Sequence, residues 1–216
     1  MPLESSFADR QIEVVLTRLD ARPEAAGALA RSLSAAERER AGRFRFERDR
    51  RRFIVARARL RELLGARLGV PPAAVELACG NNGKPALAGR CAHARWRFNV
   101  SHCDDLAVYA FSRSREVGID VEAIRPLPAA DAIAAQVFSP RESEAYLAAA
   151  PRDRPLAFFR CWTRKEAFVK ALGVGLSARL DALDVSEGRL GENGAWRLES
   201  FSPLPGFIAA LASHPG

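Results

Sequence analysis

The chain has 216 residues, of which 48% are hydrophobic and 27% are charged. This fits one medium globular domain or two small halves, and it excludes a membrane-spanning chain because no apolar run approaches the roughly 20 residues that cross a bilayer. The formal net charge of +7 predicts an acidic partner. We expect a cytoplasmic protein, because the first residues contain no apolar signal segment, and no disulfide framework, because the four cysteines are irregularly spaced.

The first part of the chain is predicted to contain a short strand and then helices. Residues 12–16 favour a strand, and Ser34 with Glu37 has the spacing of a helix N-cap. Apolar residues recur every three or four positions between residues 49 and 64, which predicts an amphipathic helix. Gly65 is expected to end that helix.

Arginines are concentrated in this region. Residues 38–67 contain twelve arginines and four acidic residues. Arginine prefers phosphate and carboxylate groups, because its planar guanidinium donates two parallel hydrogen bonds. Nucleic acid, a membrane, an acidic protein and a phosphorylated small molecule all fit such a surface. The main competing function is therefore nucleic-acid binding, although it leaves the acidic residues of the second half unexplained.

The middle of the chain is predicted to form short strands and turns. Residues 75–78 favour a strand, and the Asn-Asn-Gly-Lys-Pro sequence at 81–85 favours a turn. Residues 97–112 predict two strands joined by a loop that contains Ser101 and His102. A hydroxyl, an imidazole and neighbouring amides in one loop would form a small anion-binding group, although a single histidine is more often structural.

The second half is predicted to begin with a strand at residues 117–122 and to end in strands, with three helices between them. The helices are expected at residues 129–137, 140–150 and 155–172, and the last strands at residues 183–186, 196–201 and 206–212.

A faint internal repeat relates the two halves. A Trp-Arg pair occurs at residues 96–97 and again at 196–197, and each pair opens a strand, a loop and a second strand that ends in serine. A helix ending in Leu-Gly precedes each pair. We therefore predict an α+β fold with an N-terminal half (1–117) and a C-terminal half (118–216) related by a pseudo-twofold axis. This arrangement predicts a monomer with a ligand cleft between the halves.

Charged residues recur on one face of a strand and of a helix in the second half. Asp120 and Glu122 point to the same side of a strand, because side chains alternate, and oxygen ligands of this kind suit Mg²⁺. Trp162, Glu166 and Lys170 share a helix face at a spacing of four. A purely structural role is also open for each: a solvated strand face, a buried tryptophan and a surface Glu–Lys pair.

Taken together, five motifs resemble the 4′-phosphopantetheinyl transferase superfamily, and more closely its long, single-chain, surfactin-synthetase type. The motifs are GKP at 83–85, FNVSH at 98–102, GIDVE at 118–122, FSPRE at 138–142 and WTRKEAFVKALGVGL at 162–176. The resemblance implies an enzyme of holo-[acyl-carrier-protein] synthase type. Such an enzyme moves the phosphopantetheine arm of coenzyme A to a serine of an acyl or peptidyl carrier protein, and adenosine 3′,5′-bisphosphate leaves. Carrier proteins of fatty-acid, polyketide and nonribosomal-peptide synthesis all remain open.

The resemblance also implies the roles of individual residues. Asp120, Glu122 and Glu166 would bind Mg²⁺, and Lys170 would hold the pyrophosphate. The remaining contacts with coenzyme A would come from Arg40, Arg48, Arg52, Gly83, Lys84, Pro85, Ser101 and His102. No binding to nucleic acid or membrane is expected.

The incoming serine must lose a proton, and either Glu166 or Glu142 could accept it. Trp162 would orient the site. The chain departs from the family at Glu37, where relatives often have lysine, and at Phe53, where some have a hydroxyl. Two competing functions share these residues: an inactive homologue that only docks carrier proteins, and a metal-dependent phosphatase or nucleotidyl transferase.

Overall fold

The computed structural model describes residues 11–80, 83–174 and 179–215, and it confirms the predicted α+β class. In this part of the chain there are six α-helices and nine strands. The helices are α1 (Pro23–Leu29), α2 (Ala35–Gly42), α3 (Glu47–Leu68), α4 (Ala130–Val137), α5 (Pro140–Ala148) and α6 (Arg154–Leu172). The strands are β1 (Ile12–Arg18), β2 (Leu77–Cys79), β3 (Pro85–Leu87), β4 (Arg97–Cys103), β5 (Leu106–Ser112), β6 (Arg115–Ala123), β7 (Arg189–Leu190), β8 (Trp196–Phe201) and β9 (Phe207–Pro215).

Two antiparallel sheets pack between two long helices, which gives four layers. The first sheet has the order β1-β5-β4 and the second has the order β6-β9-β8-β7, while β2 and β3 form a separate pair. Helix α3 covers the outer face of the first sheet, where Leu60 and Leu64 meet Phe98 and Tyr109. Helix α6 covers the outer face of the second sheet. The inner faces of the sheets share a cluster formed by Ile12, Val14, Leu106, Val108, Ala110, Val117, Ile119, Val121, Ala209 and Leu211.

The same order of elements occurs in both halves. In each half the first strand pairs with the last strand, which pairs with the strand before it, and a long helix precedes those two strands. The internal repeat appears in the strand register, because Arg97 pairs with Ser112 and Arg197 pairs with Ser213. This repetition supports the predicted halves, although their boundary and the pseudo-twofold axis stay predictions.

Three local predictions are wrong. Helix α3 continues past Gly65 and ends at Gly69, whose positive φ of 70° terminates the helix. Ser101 and His102 lie within β4 and not in a loop, because the hairpin turn contains only residues 104–105. Residues 183–186 form no strand. The predicted turn residues Asn81 and Asn82, and Gly175 in the last motif, lie outside the described residues.

Strand β6 presents its two faces to different layers. Ile119 and Val121 enter the cluster between the sheets, so Gly118, Asp120 and Glu122 face α6. The α6 backbone comes so close that a Cβ atom on Gly118 would lie 2.0 Å from the Ala167 carbonyl oxygen and 2.4 Å from the Ala171 nitrogen. The glycine therefore sets how closely the charged residues of α6 approach those of β6.

Hydrogen bonds from β4 side chains join the first sheet to β6. The Ile119 backbone N–H donates to Asn99 Oδ1 at 2.9 Å, and Ser101 Oγ donates to Asp120 Oδ1 at 2.8 Å. Further along, Cys103 Sγ donates to Glu122 Oε2 at 3.2 Å. Every second residue of β4 thus reaches β6, so the two halves meet along a seam of side-chain hydrogen bonds.

We expect Gly118→Ala to lower the free energy of unfolding by about 3 kcal/mol. This is the upper part of the range for overpacking, because the added Cβ meets the backbone of α6, which cannot move aside as the end of a flexible side chain can. Chemical denaturation measures this change. Gly27→Ala in α1 is the matched control, because nothing lies within 4 Å of its added Cβ, and it should instead stabilise the protein by about 0.5–1 kcal/mol. Equal stability of the two variants would contradict the close packing of α6 on β6.

Candidate active site

A hydrogen-bonded group of three side chains lies where β4, β6 and α6 meet. Lys170 Nζ lies 2.5 Å from Asp120 Oδ1 and 3.0 Å from Ser101 Oγ, and Ser101 Oγ also donates to Asp120 Oδ1. Asp120 is 4% exposed, so its charge is removed from water. The ammonium of Lys170 compensates that charge, which a buried carboxylate requires.

Glu122 and Glu166 carry the other two carboxylates of the region. Burial raises the pKa of both, and the nearby Asp120 charge raises each pKa further. For Glu122, the Cys103 hydrogen bond opposes the rise in pKa, and for Glu166 the charge of Lys170 does so. The three acidic groups therefore repel one another and would be stabilised by an additional positive charge.

Two oxygens of this region lack a partner. In the described part of the chain, Asp120 Oδ2 and Glu166 Oε1 are buried and accept no hydrogen bond. Buried carboxylate oxygens of this kind fit a hard divalent cation such as Mg²⁺. No cluster of three or more His, Cys, Asp or Glu side chains with metal-ligand geometry occurs among the described residues. Lys170 is bonded to Asp120 Oδ1, so a cation would compete with Lys170 for that carboxylate. The residue types and the unpartnered oxygens fit Mg²⁺, and its binding here stays a prediction.

A cleft of about 860 Å³ opens beside this group. One wall comes from α3, the floor from β4, and the other wall from α6. The lining residues are Arg40, Phe44, Phe53, Ala56, Arg57, Leu60, Gly83, Lys84, Pro85, Asn99, Val100, His102, Glu166, Val169, Lys170 and Gly173. Many of the predicted site residues thus lie around one cavity whose charged groups are mostly cationic.

Two of the predicted contacts, Lys84 and His102, line the cleft. Lys84 Nζ donates to the Ala171 carbonyl oxygen at 3.1 Å, in the last turn of α6, and burial lowers the pKa of Lys84. His102 is solvent-exposed, yet its pKa is also lowered, mainly by partial desolvation of the imidazole by nearby protein atoms and then by the charges of Lys170 and Arg40. The imidazole is therefore neutral at pH 7, available as a hydrogen-bonding group.

Arg57 lines the cleft, although it is absent from the site residues predicted from the sequence. Its Nε atom lies 3.6 Å from Glu37 Oε1, and Glu37 also accepts from the buried Arg61 at 2.7 Å. Glu37 is held in turn by a capping box with Ser34. A carboxylate at this position, where relatives often have lysine, was the sequence signal for a partner cation such as Arg57, because a carboxylate largely removed from water needs a cation near it.

The structure does not bring all three predicted arginines to the cleft. Arg40 lines it and lies over the Phe53 ring, 5.4 Å from the centroid. Arg48 is exposed, pairs with Asp49 at 3.3 Å and does not line the cleft, so its position does not support the predicted contact with coenzyme A. Arg52 is also absent from the lining and pairs with Asp20 at 3.6 Å.

Glu142 was predicted as a second possible base, and its surroundings do not support that role. Its two oxygens accept from Lys165 Nζ at 2.7 Å, from the Ser139 N–H at 2.7 Å and from the Val185 N–H at 2.6 Å. The side chains of Glu142 and Lys165 are 2% and 0% exposed, and neither lines the cleft. Lys165 also donates to the carbonyl of Leu180. The pair is therefore a buried structural link from α5 and α6 to residues 180–185.

Trp162 lies in an aromatic cluster and does not line the cleft. Its ring stacks on Phe158 with a centroid distance of 6.2 Å and an interplanar angle of 9°. This cluster packs α6 against α4 and α5, one helical turn before Glu166. The tryptophan thus supports the helix that carries the acidic residue, and a direct role in orienting a substrate stays a prediction.

Glu142→Gln should destabilise the protein, whereas Glu166→Gln should not. The first leaves the Lys165 ammonium buried without its charge partner, so we expect a loss of about 3–5 kcal/mol in the free energy of unfolding. The second removes a buried charge with an unpartnered oxygen, so stability should stay equal or rise at neutral pH. Urea titrations measure both. A Glu142→Gln protein that keeps native stability would contradict the structural role of Glu142.

The cleft places several cationic side chains beside the carboxylates of Asp120 and Glu166, an arrangement that suits an anionic ligand. Two sequence models of known families match the chain. One, described as the 4′-phosphopantetheinyl transferase superfamily, matches residues 116–203, and the other, described as 4′-phosphopantetheinyl transferase, N-terminal, matches residues 21–114.

Individual relatives agree with these matches. The 4′-phosphopantetheinyl transferase HetI of Nostoc sp. is 38% identical over 189 residues, which cover 85% of this chain and 79% of HetI. A 4′-phosphopantetheinyl transferase of Bacillus subtilis is 32% identical over 168 residues, which cover 78% of this chain and 71% of that protein. The chain belongs to the 4′-phosphopantetheinyl transferase superfamily, as its motifs predict. In the part of the chain that the structure describes, no helix is long and apolar enough to cross a membrane.

Proposed function

We propose that the chain transfers the 4′-phosphopantetheine group of coenzyme A to a serine of an acyl or peptidyl carrier protein and releases adenosine 3′,5′-bisphosphate. The observation that carries this proposal is the meeting of Asp120, Glu166 and Lys170 beside a cleft with several cationic side chains. Coenzyme A has a pyrophosphate and a 3′-phosphate, which need such cations. The membership in the superfamily and the names of the relatives support the same reaction.

Asp120, Glu122 and Glu166 would hold Mg²⁺, which suits oxygen ligands and would neutralise charge on the pyrophosphate. Lys170 supplies positive charge from the protein itself. In the free protein its ammonium is bonded to Asp120, so it is already near the carboxylates. When the pyrophosphate enters, Lys170 donates to a phosphate oxygen and stabilises the negative charge that develops as the nucleotide leaves.

Glu166 is the residue that we assign to the serine proton. It lines the cleft, whereas Glu142 does not, and burial raises its pKa toward the range in which a carboxylate accepts a proton effectively. The serine oxygen then forms a bond to the β-phosphorus, and the bond from that phosphorus to the leaving nucleotide oxygen breaks. His102, neutral in the cleft, donates a hydrogen bond to a phosphate oxygen.

The finer assignments belong to the same proposal. The motifs favour the surfactin-synthetase type, and the two halves favour a monomer with coenzyme A between them. A carrier protein of acidic character would be attracted to a chain of net charge +7. Fatty-acid, polyketide and nonribosomal-peptide synthesis all supply such carrier proteins, and nothing in the cleft distinguishes among them.

Incubation of an apo carrier protein with coenzyme A, Mg²⁺ and this chain should raise the intact mass of the carrier by one phosphopantetheine. Asp120→Asn and Glu166→Gln should each lower kcat by at least about 100-fold, because each removes a charge that the transition state requires. Mass spectrometry measures transfer, and circular dichroism verifies the fold. No mass change with carriers of all three pathway classes would overturn the proposal.

We expect Arg57 to bind the 3′-phosphate of coenzyme A, and we expect no such contact from Arg48. We expect Arg57→Ala to raise the KM for coenzyme A by about tenfold or more. This is the effect of losing one charge-assisted hydrogen bond, which contributes about 1.5–3 kcal/mol. The same variant should change the KM for dephospho-coenzyme A little, because that analogue lacks the 3′-phosphate. Arg48→Ala is the matched control, with both KM values unchanged. Equal losses for the two cosubstrates would remove Arg57 from the 3′-phosphate site.

A further inference from the structure

Cys103 is the last residue of β4, and its thiol contacts one of the three carboxylates of the site. Its Sγ atom lies 3.2 Å from Glu122 Oε2 and donates a hydrogen bond to that oxygen. The thiol is half-buried and belongs to the opposite half of the chain from Glu122. No role in the proposed reaction has been assigned to it so far.

The neighbours of the sulfur determine which way its hydrogen points. The Ala123 backbone N–H donates to Cys103 Sγ at 3.4 Å, and the Arg125 guanidinium donates to it at 3.8 Å. Both neighbours act as donors, so the sulfur accepts from them and its single hydrogen is left for an acceptor. Glu122 Oε2 is the acceptor in contact, so the thiol is oriented toward the carboxylate.

The position of Cys103 repeats that of Ser101 two residues earlier. Each projects from the same face of β4 and donates to a carboxylate on β6, Ser101 to Asp120 and Cys103 to Glu122. Each donor takes one oxygen of its carboxylate and restricts rotation of the group. Groups behind a ligating carboxylate commonly fix its orientation in this way.

We propose that Cys103 is a positioning residue, whose S–H bond holds the Glu122 carboxylate in the orientation that divalent-cation binding requires. This inference rests on the proposed function, in which Glu122 is a metal ligand. The thiol acts only through Glu122 and touches neither the cation nor the substrate. A hydroxyl could supply the same hydrogen bond, and a methyl group could not.

Direct binding of Mn²⁺ tests this role without relying on turnover. Mn²⁺ accepts the same oxygen ligands as Mg²⁺, and electron paramagnetic resonance measures its free concentration in the presence of the full chain and saturating coenzyme A. We expect Cys103→Ala to raise the Kd for Mn²⁺ by about 10- to 100-fold, the usual effect of losing such a partner. Cys103→Ser should restore the Kd to near the native value.

Kinetics give a second readout. For Cys103→Ala the KM for the metal should rise by the same factor, while kcat at saturating Mn²⁺ and the KM for coenzyme A stay near native values. Cys79→Ala is the control for loss of a thiol, because Cys79 is exposed on β2. If Cys103→Ala does not fold, Cys103→Thr and Cys103→Val form a pair of similar shape that differs in the donor, and only Thr should keep the affinity.

The outcomes separate the two proposals. Native Mn²⁺ affinity in a folded Cys103→Ala protein would overturn the positioning role, as would a Cys103→Ser protein that binds as weakly as Cys103→Ala. An unaltered chain that binds no Mn²⁺ overturns it as well. Failure of the proposed function looks different, because the unaltered chain would then bind Mn²⁺ and coenzyme A without transferring phosphopantetheine to any carrier.

Discussion

The two sheets of this protein are joined at β4 and β6 by side chains, and the candidate site depends on that junction. Asn99, Ser101 and Cys103 project from one face of β4 and bond in turn to Ile119, Asp120 and Glu122 of β6. Two of these three bonds end on carboxylates. The groups that unite the halves are therefore also the groups that orient the acidic side chains, so the site exists only when both halves are folded and in register.

The acidic residues are close together because α6 lies directly on β6. Gly118 has no side chain to hold the helix away, and Glu166 and Lys170 consequently approach Asp120. Three carboxylates that repel one another would destabilise the folded chain without compensating positive charge. Lys170 supplies part of this positive charge. The unpartnered oxygens of Asp120 and Glu166 mark where further positive charge would be bound. Local instability of this kind is typical of functional sites, which bind a ligand at the expense of stability.

Most of the fold could be predicted from the sequence, because its signals are local. Alternation along residues 117–122 predicted that Asp120 and Glu122 point to the same side of β6, which is the side that faces α6, and the spacing of four predicted that Glu166 and Lys170 share one face of α6. Prediction failed where a distant contact decided the outcome. The end of α3 is at Gly69 and not at the predicted Gly65, because glycine allows a helix to stop without requiring it.

The site predictions that the geometry does not support have the same origin. Glu142 has the sequence context of a free acid, yet it pairs with Lys165, and nothing local distinguishes a buried structural ion pair from a catalytic group. Arg48 and Arg57 stand on the same arginine-rich helix, and only the position of α3 against β4 determines which of them reaches the cleft. Charge composition predicted an anionic ligand but could not assign particular arginines to it.

The ion pair between Glu142 and Lys165 has a consequence for how the cleft is built. Lys165 and Glu166 are consecutive on α6, so their side chains leave the helix in different directions, one into the core and one into the cleft. The buried member ties the helix to residues 180–185 and thereby limits rotation of α6 about its own axis. Because the ion pair fixes one side of α6, Glu166 on the other side of the helix keeps a constant orientation toward the cleft.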